Sequence, residues 1–519
     1  MNRKKTLAIV LAAIMTVSTA STAFAAPAAW NSPVAYQYTV SDGVAVVNDA
    51  DELKDALRGS ESVIRLGKDI TASITVENGR KVELDLAGNT LTNEAGSHTI
   101  TVKGVLTVTD SVGGGKVDNV THARAAVWNE GSTALKGGEF TRSQENGQSE
   151  VDAGGNSYYV LVNHNHMDIY DGVSVSQDGN YSSMIENGWY NGNDNTGGGD
   201  SVMEIHGGNF TGGLNTVKND DYGVLTIHGG TFNNVAQSAV LNWNEAEIKG
   251  GEFITDGKSG NPVILNGHVK NNNNMDKGTL TIEGGTFRSE NPKVKVIGKM
   301  SGSSGSETAW ITGGVFYNPV AAEGYEEVKI DDGAAQVEVT TEANATVYRI
   351  GNDAISFEVQ EGDTVRVKEL PAGRPMELYG DADTVTVINK TGDTIVVNDV
   401  QVGFEADTDT GVQVPVIPDA PEREERDTTG GDYFGNAKWA EVKRAIAAAE
   451  EGDTIEMSAT GLPWFPSSVA RALKGKDVTL EVRKNGVTYS INGLKIGSID
   501  KIWYEFDQIE TELLTVEAE

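Results

Sequence analysis

Six segments of this chain repeat one short pattern, in which an aliphatic residue is followed, after one variable position, by two glycines, another variable residue and phenylalanine. They are Leu135-Lys-Gly-Gly-Glu-Phe140, Ile205-His-Gly-Gly-Asn-Phe210, Ile227-His-Gly-Gly-Thr-Phe232, Ile248-Lys-Gly-Gly-Glu-Phe253, Ile282-Glu-Gly-Gly-Thr-Phe287 and Ile311-Thr-Gly-Gly-Val-Phe316. A degraded seventh copy, Ile169-Tyr-Asp-Gly-Val-Ser-Val175, keeps the rhythm. Self-similarity at this spacing is the signature of a solenoid, in which each unit buries its apolar face only by stacking on its neighbours. The alternation in Leu225-Thr-Ile227 and Leu280-Thr-Ile282 places aliphatic groups inside and polar ones outside, which is a strand's period of two. Paired glycines then permit a sharp change of direction that a side chain would obstruct.

A second marker precedes the motif in most units: an aliphatic residue followed two positions later by asparagine. It occurs as Val127/Asn129, Leu161/Asn163, Ile185/Asn187, Val217/Asn219, Val240/Asn242 and Ile264/Asn266. Stacked amides that hydrogen-bond to one another would satisfy groups that are costly to bury singly. Strands stacked in parallel at about 4.8 Å, with a phenylalanine and an asparagine at fixed corners, describe a parallel β-helix.

These motifs resemble the right-handed parallel β-helix, or pectin-lyase-like, superfamily, and within it the Gly-Gly-x-Phe β-helix surface proteins of Gram-positive bacteria. Upstream, Val44–Val47, an amphipathic helix over Asp51 to Arg58, Val63–Leu66, Leu84-Asp-Leu86 and Leu106-Thr-Val108 resemble that group's N-terminal cap and first coils. The resemblance implies an all-β-dominant chain whose β-helix with its cap spans residues 44–330. Strand-like segments separated by Gly-Asp, Pro-Ala-Gly and Thr-Gly-Asp turns predict a small antiparallel β module over 340–404. An acidic stretch with Pro415, Pro418 and Pro421 predicts a linker over 405–430. Helical spacing of Trp439, Val442, Ile446 and Ala449, then strands around an Asn485-Gly486 turn, predict an α+β domain over 431–519. That last segment resembles a small domain recurrent at the C-termini of Gram-positive secreted proteins.

The chain opens with Arg3, Lys4 and Lys5, an apolar run from Leu7 to Val17 and Ala23-Phe24-Ala25, the pattern of a secretory signal peptide over 1–25 cleaved near Ala25/Ala26. The expected destination is the medium or the cell surface, with no membrane insertion after cleavage. There are no cysteines, so packing and backbone hydrogen bonds must hold an exported chain together without disulfides. A formal net charge of -34 repels phosphate backbones and excludes nucleic acid as an expected partner. Neutral glycans, basic partners and divalent cations such as Ca²⁺ remain open.

For catalysis, lyases of this fold need a basic residue beside acidic Ca²⁺ ligands, and hydrolases need paired carboxylates. Arg124, Arg142 and Arg288 are the only arginines between Val117 and Tyr325, and none has a recognisable catalytic context. Asp220 and Asp221, with His268, give a faint echo of polygalacturonase motifs. For metal binding, His164 and His166 beside Asp168 form the candidate set, whereas His206 and His228 share their motif position with Lys136 and Lys249 and read as a solvated strand face. Loops leaving the asparagine corner gather Trp189, Tyr190, Asp194, Tyr222, Trp243 and Glu245 on one flank, where aromatic faces and carboxylates suit a polysaccharide. The favoured reading is therefore a non-catalytic protein binding glycan or an adhesion partner. A polysaccharide lyase or glycoside hydrolase, and a structural spacer, stand as alternatives.

Overall fold

The computed structural model describes residues 38–142, 158–189, 199–267, 278–299, 307–321, 328–406 and 408–418, and much of 439–514 with short gaps. The expected signal peptide lies outside these residues, as do Tyr190, Asp194 and His268. Three sheets run the length of a parallel β-helix, and each full coil contributes one strand to each. One coil illustrates the plan: Gly223–Ile227 belongs to the first sheet, Thr231–Asn234 to the second and Ser238–Asn242 to the third. The first sheet extends from Thr39–Ser41 to Val328–Ile330.

At the N-terminal end the helix Ala50–Arg58 closes the first coil. Asp49 caps it by accepting from the backbone N–H groups of Asp51 and Glu52, and Leu53, Ala56 and Leu57 are buried. The two sequence markers occupy the corners. Val175 pairs with Phe140 on one side and Phe210 on the other, so the degraded motif fills the phenylalanine slot. From Phe210 onward the rings form an unbroken stack through Phe232, Phe253, Phe287 and Phe316, with centroids 4.7, 4.8, 4.9 and 5.0 Å apart. All are fully buried, each contributing about 1.5–3 kcal/mol by removal from water. The two glycines have separate reasons. A Cβ on Gly313 would lie 2.1 Å from the carbonyl oxygen of Glu283 in the coil below, whereas Gly314 adopts φ +124°, a region that side chains disfavour.

The asparagines point inward and are completely buried. Each donates one amide hydrogen to the next in the ladder: Asn129 to Asn163 at 2.7 Å, then Asn163 to Asn187, Asn187 to Asn219, Asn219 to Asn242 and Asn242 to Asn266, all at 2.8 Å. The other hydrogen goes to a backbone carbonyl of the adjoining coil, as from Asn187 to Val224 at 3.1 Å. Two donors and the acceptor thus find partners without water, which is why the residue recurs.

The module beyond the repeat continues the second sheet. Thr346–Ile350 pairs antiparallel with Gly314–Phe316 of the last coil, and Gln336–Thr340 pairs antiparallel with both Thr346–Ile350 and Thr364–Glu369. Its sheet is mixed, because Thr364–Glu369 and Thr384–Asn389 run parallel. It also reaches past residue 404: Val412–Pro415 pairs with Thr384–Asn389 and buries Val414, so the start of the expected linker completes the sheet. Prolines and acidic residues dominate that segment's composition, but the alternation of Val412, Gln413 and Val414 decides its structure. In the C-terminal domain Thr454–Ser458 pairs parallel, and Val487–Asn492 antiparallel, with Thr479–Lys484. Trp439, Val442 and Ile446 are helical and join its core. Among the described residues no helix is long and apolar enough to cross a membrane.

Replacing Asn187 by alanine strands an Asn163 N–H, the Asn219 side-chain carbonyl and the Val224 carbonyl. The expected cost is about 2–4 kcal/mol, seen as a lower melting midpoint by circular dichroism. Thr226→Ala, on the outward side of the first sheet, is expected to stay within about 0.5 kcal/mol of the parent.

Candidate functional site

Between the two residues of each asparagine marker stands one that points outward from the third sheet. Down the coils this column reads Trp128, Val162, Glu186, Lys218, Leu241 and Leu265, paired in register. The outward face changes character along its length. Over the first coils it is open, lining a groove of about 590 Å³ with Ser73, Thr75, Thr101, Glu94, His98 and Arg124. Further on it is covered, and Leu241, Trp243 and Leu265 make a small apolar core of their own.

A diagonal ribbon of rings crosses from the groove toward the covered part, one ring from each of four successive coils. His98 lies 4.6 Å from Trp128, Trp128 meets His164 edge-on at 4.8 Å, and His164 stacks on Trp189 at 3.9 Å and 15°. All four are half-buried. Burial is the main cause that lowers both histidines to a pKa of about 4. His98 accepts a hydrogen bond from the Ala125 N–H through Nδ1, so the neutral ring carries its proton on Nε2. Trp128 donates from Nε1 to Glu130 at 3.0 Å, which fixes its plane. The flank expected from the loops is thus only partly the flank that exists. Trp189 contributes to the ribbon, while Trp243 is 6% exposed and its ring lies 3.9 Å from the Lys218 ammonium. Glu245 is exposed on the first sheet, and Tyr222 takes a left-handed turn at φ 63°. Trp128 and His98 were not among the expected residues, although Trp128 lies inside an asparagine marker.

Under the cover sits a charged cluster. Asp220 forms an ion pair with Lys218, and both are buried, as is Glu186 one coil earlier. Desolvation, followed by the neighbouring Asp220 charge, pushes the Glu186 carboxyl well above its usual range, and its side chain is hydrogen-bonded to Asp220 and Tyr159. Two neighbouring carboxyl groups, one of them held above its usual range, are the kind of pair that general acid–base chemistry uses. Here, however, Asp220 is 0% exposed and Asp221 is 1% exposed, so neither candidate presents a face to a sugar. Lys218 and Asp220 compensate each other as a buried ion pair.

The metal candidates separate. His164 joins the aromatic ribbon, whereas His166 and Asp168 point outward from the first sheet, with His166 Nε2 3.0 Å from Asp168 Oδ2. Asp168 also engages His206 at 3.3 Å, and Glu204 lies 3.5 Å from His228. The two histidines read as a solvated face are therefore flanked by carboxylates from the neighbouring outward column. No protein-family model, curated protein or solved structure matches the chain.

Glu186→Gln keeps a donor toward Asp220 and is expected to cost under about 1 kcal/mol, whereas Asp220→Asn strands a buried ammonium at about 3–5 kcal/mol. Melting midpoints at neutral pH check the order. A second expectation follows from His98 and His164, whose folded pKa values of about 4 lie below the ordinary imidazole value of 6.5. The unfolded chain binds more protons in that interval, so their contribution is complete above pH 6.5 and declines as the pH falls toward 4. The double change His98→Asn with His164→Asn is expected to flatten the melting midpoint's slope in that window.

Proposed function

We propose that this is an exported, non-catalytic β-helix protein that binds neutral polysaccharide on the outer face of its third sheet. The observation that carries the reading is the ring ribbon, in which Trp128 packs on His98 and His98 lines an open polar groove. Half-buried rings offer flat apolar surfaces to the C–H faces of sugars, and Ser73, Thr75, Thr101, Glu94 and Arg124 supply donors and acceptors for hydroxyls. The net charge of -34 opposes a polyuronate and favours an uncharged glycan. Export rests on the opening of the sequence. The resemblance to pectin-lyase-like proteins and to Gram-positive β-helix surface proteins supports a carbohydrate or adhesive role in the medium or at the cell surface.

A glycan array probed with the purified mature chain tests this. Retention of a neutral glycan, weakened about tenfold or roughly 1.4 kcal/mol by Trp128→Ala, is expected. No retained glycan, or equal retention by Trp128→Ala, overturns it. Release of unsaturated products or reducing ends from a polysaccharide, abolished by Asp220→Asn in folded protein, would replace it by the enzymatic alternative.

A further inference from the structure

We propose that Glu204, His206 and His228 bind one divalent transition-metal ion of the zinc class, held between two successive coils on the outer face of the first sheet. Glu204 and His206 alternate outward on Ser201–Ile205 and the residue that follows it, and His228 occupies the position of His206 one coil later. Because the strands are in register, the imidazoles stack with centroids 4.9 Å apart and planes 13° from parallel. The ligand atoms of the three residues lie within 4.8 Å of one another. Glu204 Oε2 is 3.5 Å from His228 Nε2 and 3.8 Å from His206 Nε2. Ligands about 2.0–2.1 Å from a tetrahedral ion stand roughly 3.3 Å apart. Small side-chain rotations therefore bring all three onto one centre.

His228 Nε2 adds an independent sign. The atom is shielded from solvent and lies 3.5 Å from Glu204 Oε2, longer than a well-formed hydrogen bond. A solvent-shielded imidazole nitrogen facing a carboxylate oxygen across a gap too long for a good hydrogen bond is one that a cation between them would satisfy. Around the three ligands the supporting groups are present. Tyr170 stacks under His206 at 4.6 Å, fixing the ring plane. Asp168 stands 3.3 Å from His206 Nε2 and is oriented by His166, so it can serve as a fourth ligand or hold a coordinated water. Lys249, next in the histidine column, is drawn to Glu247 at 3.1 Å. Two nitrogen donors suit zinc, cobalt or nickel and not calcium, which prefers six to eight oxygens. The ion would tie adjacent coils on a face distant in function from the glycan groove, and it does not depend on that reading.

The test is calorimetric titration of chelator-treated full mature chain with Zn²⁺, Co²⁺ and Ca²⁺, together with the visible absorption of the Co²⁺ form. The expected result is about one Zn²⁺ per chain and an intense Co²⁺ band diagnostic of four-coordination. His228→Asn and Glu204→Gln should each weaken binding by about tenfold or more, and His122→Asn, at an exposed position outside the cluster, should leave it unchanged. All three ligands stand on an outward face, so the metal-free variants are expected to keep the parental circular dichroism. If His228→Asn does not fold, Glu204→Gln decides. No Zn²⁺ binding, binding that survives in folded variants, or equal affinity for Ca²⁺ overturns the proposal.

Discussion

Parallel pairing in register governs everything else in this molecule. Once a coil is laid on the one before it, each side chain stands about 4.8 Å from the residue at the same position in the next coil. Composition at a position is then limited to groups that tolerate their own kind as neighbours. Phenylalanine does so by stacking, and asparagine by being donor and acceptor at once. A charge does so only when the next coil supplies its complement or neutralises it. Glu186 beside Lys218, its carboxyl raised above the usual range by burial, is the buried case.

The same rule explains what could be read from the chain. Inward positions repeat, so the glycine pair, the phenylalanines and the asparagines were legible, including the slot that Val175 fills. Outward positions are released from repetition, and their partners come from a neighbouring coil at a sequence distance set by the intervening loop. Glu204 and His228 meet across a loop and a complete coil, and neither residue's local sequence names the other. Trp243 shows a different failure. As one of a few aromatics near a corner it resembled a binding residue, but Leu241 and Leu265 form an apolar patch outside the sheet that its ring closes. The strand Val412–Pro415 was hidden by the prolines around it, since an edge strand tolerates the missing donor.

Two outer faces consequently carry different chemistry on one scaffold. On the third sheet the ring ribbon and the hydroxyl-lined groove are spread over several coils and suit an extended ligand. On the first sheet the histidines and carboxylates converge on a point. Neither arrangement disturbs the core, because alternation along each strand lets the outer residues vary while the inner ones stay fixed.

The antiparallel strand Thr346–Ile350 has a consequence for how long such a solenoid can become. A coil stack ends in a sheet edge that matches the start of another coil, and identical chains could in principle add there without limit. By reversing chain direction against Gly314–Phe316, this strand turns the second sheet's terminus into a surface of the wrong polarity for a further coil. With the helix Ala50–Arg58 over the opposite end, the chain carries stops in both directions. The number of coils in the stack is thereby written into the sequence.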